Sequence, residues 1–323
     1  MNCDLRNKST SGGIFIQLSK RVIELGGVVF GVYINEEQEI CHMKASTFSD
    51  LNKMVGSKYV QSNKKNIFLQ VKQVLDAGKI TLFSGTPCEV LGLKKFLKRE
   101  YTNLILVDLL CHGAPSPKVW RRYLKENGFS KPDNINFRSK ITGWFKSSIR
   151  IIEGSKIYSV IGEQDPYISL FNNGYTMRPS CFECRIKSIK EKKSDITLGD
   201  FWGVQTIRPF LFDNKGISLI FCNTSKGYEM VNKISNNLYL EEIEIEEILY
   251  ENGDIGKPMK RPHNREQFFQ EFNRGIPLKK LKEKYIKKSI KKIIILKIKN
   301  MLKKIGIFDC LKKIYRQIKN KCK

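Results

Sequence analysis

The chain has 323 residues, 41% hydrophobic and 28% charged, proportions that exclude a wholly disordered or collagenous protein. At about twice the ~150-residue domain prior it suits either one large α/β domain or two smaller ones. The formal charge is +26, from 58 Lys and Arg against 32 Asp and Glu, and apolar runs such as Ile293 to Leu296 fall far short of the ~18 residues a membrane span needs.

Met1 to Lys8 is polar and mixed in charge, and Gly12, Gly13, Gln17, Ser19, Lys20 and Arg21 interrupt the apolar pattern after it. No secretory signal is expected, so the cytoplasm is the expected compartment. There, nine cysteines point to metal ligands, redox groups or buried thiols rather than to disulfides. Ser9 to Gly13 reads as a helix-entry loop before Ile14, Leu18, Val22 and Leu25 at helical spacing, and Gly26-Gly27 ends that helix. Val28 to Ile34 and Ile40 to Met43 read as strands, Phe48 to Val55 and Ile67 to Asp76 as helices.

Ile80 to Ser84 and Leu104 to Leu110 are short apolar runs with a helical pattern, Glu89 to Lys98, between them. This predicts a βαβ unit whose strands are covered by helices on both faces. Asn134 to Val160 alternates like antiparallel strands, with Glu153-Gly154-Ser155 as a hairpin turn. Ile196 to Leu198 and Ile217 to Cys222 are predicted strands, and Lys226 to Ile234 and Glu266 to Asn273 predicted helices, with a Pro-containing linker from Lys257 to Pro262. From Pro277 onward, 47 residues hold 18 basic and 2 acidic side chains, so this tail supplies +16 of the charge. Its apolar residues Leu281, Tyr285, Ile295, Ile298, Leu302 and Ile305 recur near helical spacing. The expected fold class is therefore α/β: a mixed sheet with βαβ units, an antiparallel insertion and a helical C-terminal extension. The boundary is placed between residues 255 and 256.

Right-handed crossover makes the two strands of the βαβ unit parallel, so Cys88 and Cys111 leave the same carboxyl edge, ~4.8 Å apart if the strands are neighbours. Cys181 and Cys184 form a CxxC in what reads as an exposed loop, a spacing common to zinc and iron-sulfur sites. Four thiolates suit a tetrahedral zinc or a cubic cluster, and spacing does not choose between them. Each of Cys88 and Cys111 alone also reads as a buried small side chain, and the CxxC as a redox dithiol. Cys41 and Cys222 lie inside apolar strands and are assigned to the core, while Cys310 and Cys322 have no partners at ligand spacing.

Ser11-Gly12-Gly13 at a helix start reads either as an anion site or as an ordinary cap. Gly56-Ser57-Lys58-Tyr59 joins a flexible turn, a cation and an aromatic, a combination suited to a phosphate plus a ring. Gly199-Asp200-Phe201-Trp202-Gly203 places an acid and two aromatics at a strand end, with a core anchor as the plainer role for Trp202. His112, beside Cys111, is either a proton carrier or a solvated loop residue.

These turns, together with Ser84-Gly85-Thr86-Pro87-Cys88, Val107 to Gly113 with Pro115-Ser116-Pro117, Arg178 to Cys184 and Ser194 to Gly203, resemble the coenzyme F420 hydrogenase/dehydrogenase beta-subunit family from about Lys8 to Asn236. The resemblance implies an iron-sulfur flavoprotein oxidoreductase in which Cys88, Cys111, Cys181 and Cys184 hold a 4Fe-4S cluster. It implies that FAD lies against Ser11, Gly12, Gly13, Lys58, Tyr59 and Gly199. It further implies a redox partner protein, ferredoxin-like or another subunit, and a small-molecule substrate or deazaflavin coenzyme. Many relatives begin with a ferredoxin-like domain that this chain is expected to lack. Lys/Ile-rich relatives occur in surface-polysaccharide gene sets. No catalytic side chain is assigned.

The rival reading is a zinc-stabilised binding protein whose tail meets anionic lipid or nucleic acid. With only Tyr285, Phe308 and Tyr315 as tail aromatics, a stacking platform for nucleic acid is disfavoured. A membrane surface is preferred, placing the protein at the inner face of the membrane.

Overall fold

The computed structural model describes residues 3–188, 192–251 and 256–286. In chain order they form α1 (Cys3–Lys8), α2 (Ile14–Glu24), β1 (Val28–Ile34), β2 (Ile40–Ala45), α3 (Phe48–Met54), α4 (Ile67–Asp76), β3 (Thr81–Ser84), α5 (Pro87–Leu97), β4 (Leu104–Leu109), α6 (Pro117–Glu126) and β5 (Asn134–Ser139). There follow β6 (Ser148–Glu153), β7 (Lys156–Ile161), α7 (Pro166–Asn172), β8 (Ile196–Asp200), α8 (Val204–Ile207), β9 (Ser218–Cys222), α9 (Ser225–Asn232), α10 (Ile245–Glu251), α11 (Arg265–Asn273) and α12 (Leu278–Tyr285).

The main sheet has the order β2-β1-β3-β4-β8-β9. Its four inner strands are parallel, and the edge strands β2 and β9 run antiparallel to their neighbours. Alternation sorts the strand residues between two layers. Val29, Leu82, Ile105, Val107 and Ile196 pack with Leu18 and Val22 of α2 and Val231 of α9, while Phe30, Phe83 and Leu106 pack with Val71 of α4 and Leu93 of α5. Burying each such side chain contributes about 1.5–3 kcal/mol, and both faces being covered is why these runs are apolar throughout.

The antiparallel insertion is a separate sheet, β5-β6-β7. It is tied to the helices beside it by Asp165, which accepts from Tyr123 Oη at 2.6 Å, from Tyr158 Oη at 2.8 Å and from the Ile168 N–H at 2.9 Å. That last bond caps α7. Burial pushes the Asp165 carboxyl above the usual range, against the donors that lower it.

By compactness the chain divides into a unit ending at Leu278 and another beginning at Lys279. In the first unit α11 buries Phe268 and Phe272 almost completely, and Arg122 Nη1 donates to the Phe272 carbonyl at 2.6 Å. In the second unit α12 continues to Tyr285. Ile295, Ile298, Leu302, Ile305, Cys310 and Cys322 lie outside the described residues. No helix among the described residues is long and apolar enough to cross a membrane.

Candidate functional site

Cys88 and Cys111 are placed by the register of β3 and β4. Ser84 of β3 pairs with Val107 of β4, and each cysteine comes four residues after its paired strand residue. Helix α5 starts earlier than its apolar pattern suggests, at Pro87, so Cys88 sits in its first turn rather than in the preceding loop. Pro fits there because that N–H has no intrahelical acceptor, and the turn is closed by Glu89, whose carboxylate accepts from the Thr86 N–H at 2.8 Å. Thr86 Oγ1 lies 3.1 Å from Cys88 Sγ. The positive end of the helix dipole therefore stands at Cys88.

The segment after β4 brings the CxxC to the same edge. Pro115 bridges Met177 in antiparallel fashion, Ser116 donates to the Thr176 carbonyl, and Arg178 donates to the Ala114 carbonyl. The Ala114 N–H then reaches Cys181 Sγ at 3.4 Å. Cys181 lies in the short 3-10 turn Pro179–Cys181 and is buried among Phe171 and Met177, which corrects the expectation that the whole CxxC loop is exposed. Cys184 is partly buried at the start of a second turn, Arg185–Lys187, and among the described residues it makes no hydrogen bond to the other three cysteines.

Electrostatics ties three of the sulfurs together. Burial pushes the Cys111 thiol up to about 12; Lys187 pulls it down, and the neighbouring Cys88 and Cys181 sulfurs push it further up. Arg178 Nη2 donates to Cys88 Sγ at 3.5 Å, and the same guanidinium interacts electrostatically with Cys181. Lys187 is itself buried, with Nζ 2.6 Å from the His112 carbonyl, and Arg265 interacts electrostatically with Cys181 while donating to the Met177 carbonyl at 2.5 Å. Three cations thus act on these thiols, Lys187 on Cys111, Arg178 on Cys88 and Cys181, and Arg265 on Cys181. Among the described residues no group of three or more Cys, His, Asp or Glu side chains is spaced to grip a single ion. The donor set still fits an iron-sulfur group, because thiolates bearing net negative charge would meet fixed cations and N–H donors here.

The two glycine turns lie side by side, since the Ser57 N–H donates to Thr10 Oγ1 at 2.7 Å. Much of their polar capacity is already engaged. Ser11 Oγ donates to the Ile217 carbonyl at 2.6 Å, the Gly12 N–H to Ser218 Oγ at 2.9 Å, and Gly13, at φ 93°, precedes α2 without a side-chain cap. A Cβ on Gly12 would lie 3.0 Å from Ser218 Oγ, so this glycine allows close approach to β9. Lys58 turns inward: Nζ donates to the carbonyls of Met54 at 2.8 Å and Val55 at 3.0 Å, closing the end of α3.

Tyr59 joins this region to the cysteines. Its ring lies 5.4 Å from Phe171, which packs with Cys181 and meets the His112 ring edge-on at 5.0 Å. Gly199 sits in β8 beneath Leu110, where a Cβ would come within 2.4 Å of Leu110 Cδ1. Its role is packing of the strand end that carries Asp200.

Sequence reasoning passed over Arg138. Its Nη1 contacts Tyr59 Oη at 3.3 Å and Asp200 Oδ2 at 3.1 Å, and its guanidinium lies 5.1 Å over the Trp202 ring. Nε and Nη2 are buried with no partner among the described residues. Two free donors beside Tyr59, Asp200 and Trp202 fit a ring carrying carbonyl and nitrogen acceptors, such as a flavin. Trp202 itself stacks on the buried Trp144 at 4.9 Å, so it anchors the core on one face and carries Arg138 on another. Cys222 departs from its core assignment: it ends the edge strand β9 and is exposed, whereas Cys41, in β2, is buried.

Comparison with known proteins adds two findings. No curated protein matches the chain. A structure described as a xenon derivative of the F420-reducing [NiFe] hydrogenase complex from Methanosarcina barkeri contains a chain similar in fold, 15% identical, with a TM-score of 0.52 over 85% of this chain and 91% of that one. The family model for the C terminus of the coenzyme F420 hydrogenase/dehydrogenase beta subunit matches residues 78–248, a stretch that holds Cys88, Cys111, Cys181, Cys184, Arg138, Arg178 and Asp200. The chain belongs to the coenzyme F420 hydrogenase/dehydrogenase beta-subunit family.

Proposed function

We propose that this family member is an iron-sulfur flavoprotein oxidoreductase, passing electrons between a 4Fe-4S cluster and FAD and on to a small substrate or deazaflavin coenzyme. The observation that supports the reading is that the Cys111 thiol feels the Cys88 and Cys181 sulfurs and Lys187, with Arg178 donating to Cys88 and with Cys181 packed against Phe171, whose ring lies 5.4 Å from Tyr59. Bound there, the cluster supplies one-electron transfer and the flavin two-electron chemistry.

The chain's own work is holding and tuning. Cys88, Cys111, Cys181 and Cys184 are the sulfur donors. Arg178, Lys187 and Arg265 offset the negative charge that four thiolates bring into a partly buried site. Arg138 offers its free donors to the flavin ring, and Tyr59 and Phe171 keep water from the space between. Ser11, Gly12, Gly13, Lys58 and Gly199 act less directly, by fixing the turns that border the ring.

We further assign to it a protein partner for electron exchange, since the similar chain of known structure is part of a hydrogenase complex. The tail, with +16 in 47 residues, is assigned to an anionic membrane face in the cytoplasm, and the substrate to surface-polysaccharide metabolism. Anaerobic purification with iron, sulfide, zinc and flavin analysis tests the central reading. About four irons and one FAD per chain, with a brown-yellow colour, are expected. A colourless protein holding one zinc would overturn it in favour of a zinc-stabilised binding protein.

A further inference from the structure

Three cations lie near the cysteines, but they are held differently. Lys187 Nζ is engaged by the His112 carbonyl, and Arg265 by the Met177 carbonyl with its guanidinium 4.5 Å over the Phe269 ring. Neither donates to a sulfur. Arg178 does, to Cys88 at 3.5 Å, and its charge also acts on Cys181 three residues on. Its backbone is fixed by the Pro179 that follows and by its N–H bond to the Ala114 carbonyl at 3.1 Å. Arg178 makes no ion pair with a carboxylate among the described residues, and its buried Nε has no hydrogen-bond partner there. Its full positive charge therefore acts on the sulfurs.

We propose that Arg178 is a positioning residue that sets the reduction potential of the iron-sulfur centre, acting through the Cys88 and Cys181 sulfurs. The inference rests on the functional reading above. One electron taken from a reductant adds one negative charge to the sulfur-ligated group, with no bond made or broken at Arg178. A fixed cation and N–H donors on the ligating sulfurs favour the more negative, reduced state, so they raise the potential. The guanidinium also spans the two chain segments that supply these cysteines, holding the α5 start to the CxxC turn.

The test is an EPR-monitored dithionite titration of the full chain, reconstituted anaerobically, as wild type, Arg178→Gln and Arg178→Lys. At the solution potential where the wild-type centre is half reduced, Arg178→Gln is expected to show an oxidised-to-reduced ratio about tenfold higher, equivalent to ~59 mV for a one-electron couple. Arg178→Lys, which keeps the charge, is expected within about twofold of wild type, on the same scale of tenfold per ~59 mV. Because a potential does not depend on how much protein is loaded, reduced iron content leaves the result readable. An unchanged ratio in Arg178→Gln, equal shifts in both variants, or loss of the cluster from both would overturn the assignment while leaving the functional reading intact. A wild-type chain that takes up no iron and sulfide would remove that reading, and this one with it.

Discussion

Gly113 and Met177 approach so closely that a Cβ on Gly113 would lie 2.3 Å from Met177 Sδ, with Met177 itself almost fully buried. Met177 directly precedes Arg178 and packs against Cys181, so this contact sets the height of the CxxC loop over the β4 end. Gly113→Ala is expected to displace Met177 at a cost of about 1–3 kcal/mol, the usual penalty of overpacking. A thermal melt of the apo chain and the iron content of the reconstituted one should both fall. Iron content equal to wild type would mean that the loop tolerates the shift.

Alanine at Cys88, Cys111, Cys181 or Cys184 is expected to reduce bound iron to less than half, because a four-thiolate cluster missing one ligand is labile. Cys222→Ser is the matched control: exposed at the end of β9, it should change neither iron nor melting temperature. Iron retained at wild-type level in any of the first four would remove that residue from the ligand set.

Arg138→Met keeps much of the side-chain volume while removing the two free donors and the partner of Asp200. A bound FAD that depends on those donors is expected to dissociate at least tenfold more readily, about 1.4 kcal/mol, near the lower end of what a lost hydrogen bond to a charged group costs. Fluorescence of released flavin during dialysis reads this directly. Unchanged flavin retention with a lower melting temperature would confine Arg138 to pairing with Asp200.

Asp76, at the end of α4, accepts from Lys72, Tyr101 Oη and Arg99, and these donors bring its pKa from 3.8 to about 2. Between those values the unfolded chain binds more protons than the folded one, so stability from this group is complete above about pH 4 and lost as the pH falls through 2. The stability difference between wild type and Asp76→Asn should therefore shrink from pH 5 to pH 2 in urea titrations. A difference that stays constant across that range would place the stabilisation elsewhere.

The basic tail is expected to carry membrane binding. Full-length protein should float with anionic vesicles but not neutral ones, and binding should weaken with salt, since each basic residue near such a surface contributes about 1 kcal/mol. A chain ending at Ile276 should stay at the bottom of the gradient. Equal flotation of both forms would reject the tail as the anchor.

Strand and helix periodicity determined the βαβ unit, its parallel sense and the exit of Cys88 and Cys111 at one edge, because apolar runs between polar turns admit few other arrangements. It also carried the three-stranded insertion, whose alternation and Gly154 turn are local signals. α6 and α7 escaped it: α7 is buried along most of its length, so it lacks a polar stripe, and both begin at a proline that reads first as a breaker. The site's cations were decided only in three dimensions. Arg138, Arg178, Lys187 and Arg265 come from a strand, two neighbouring turns and a distant helix, and what distinguishes them from the other basic residues is their place beside sulfur or aromatic groups. The reverse holds for Lys58 and Gly12, whose motif suggested a phosphate but whose polar groups fold back onto α3 and β9. A sequence motif fixes which groups are near one another along the chain, while the partner each donor finds depends on which surfaces the core brings together.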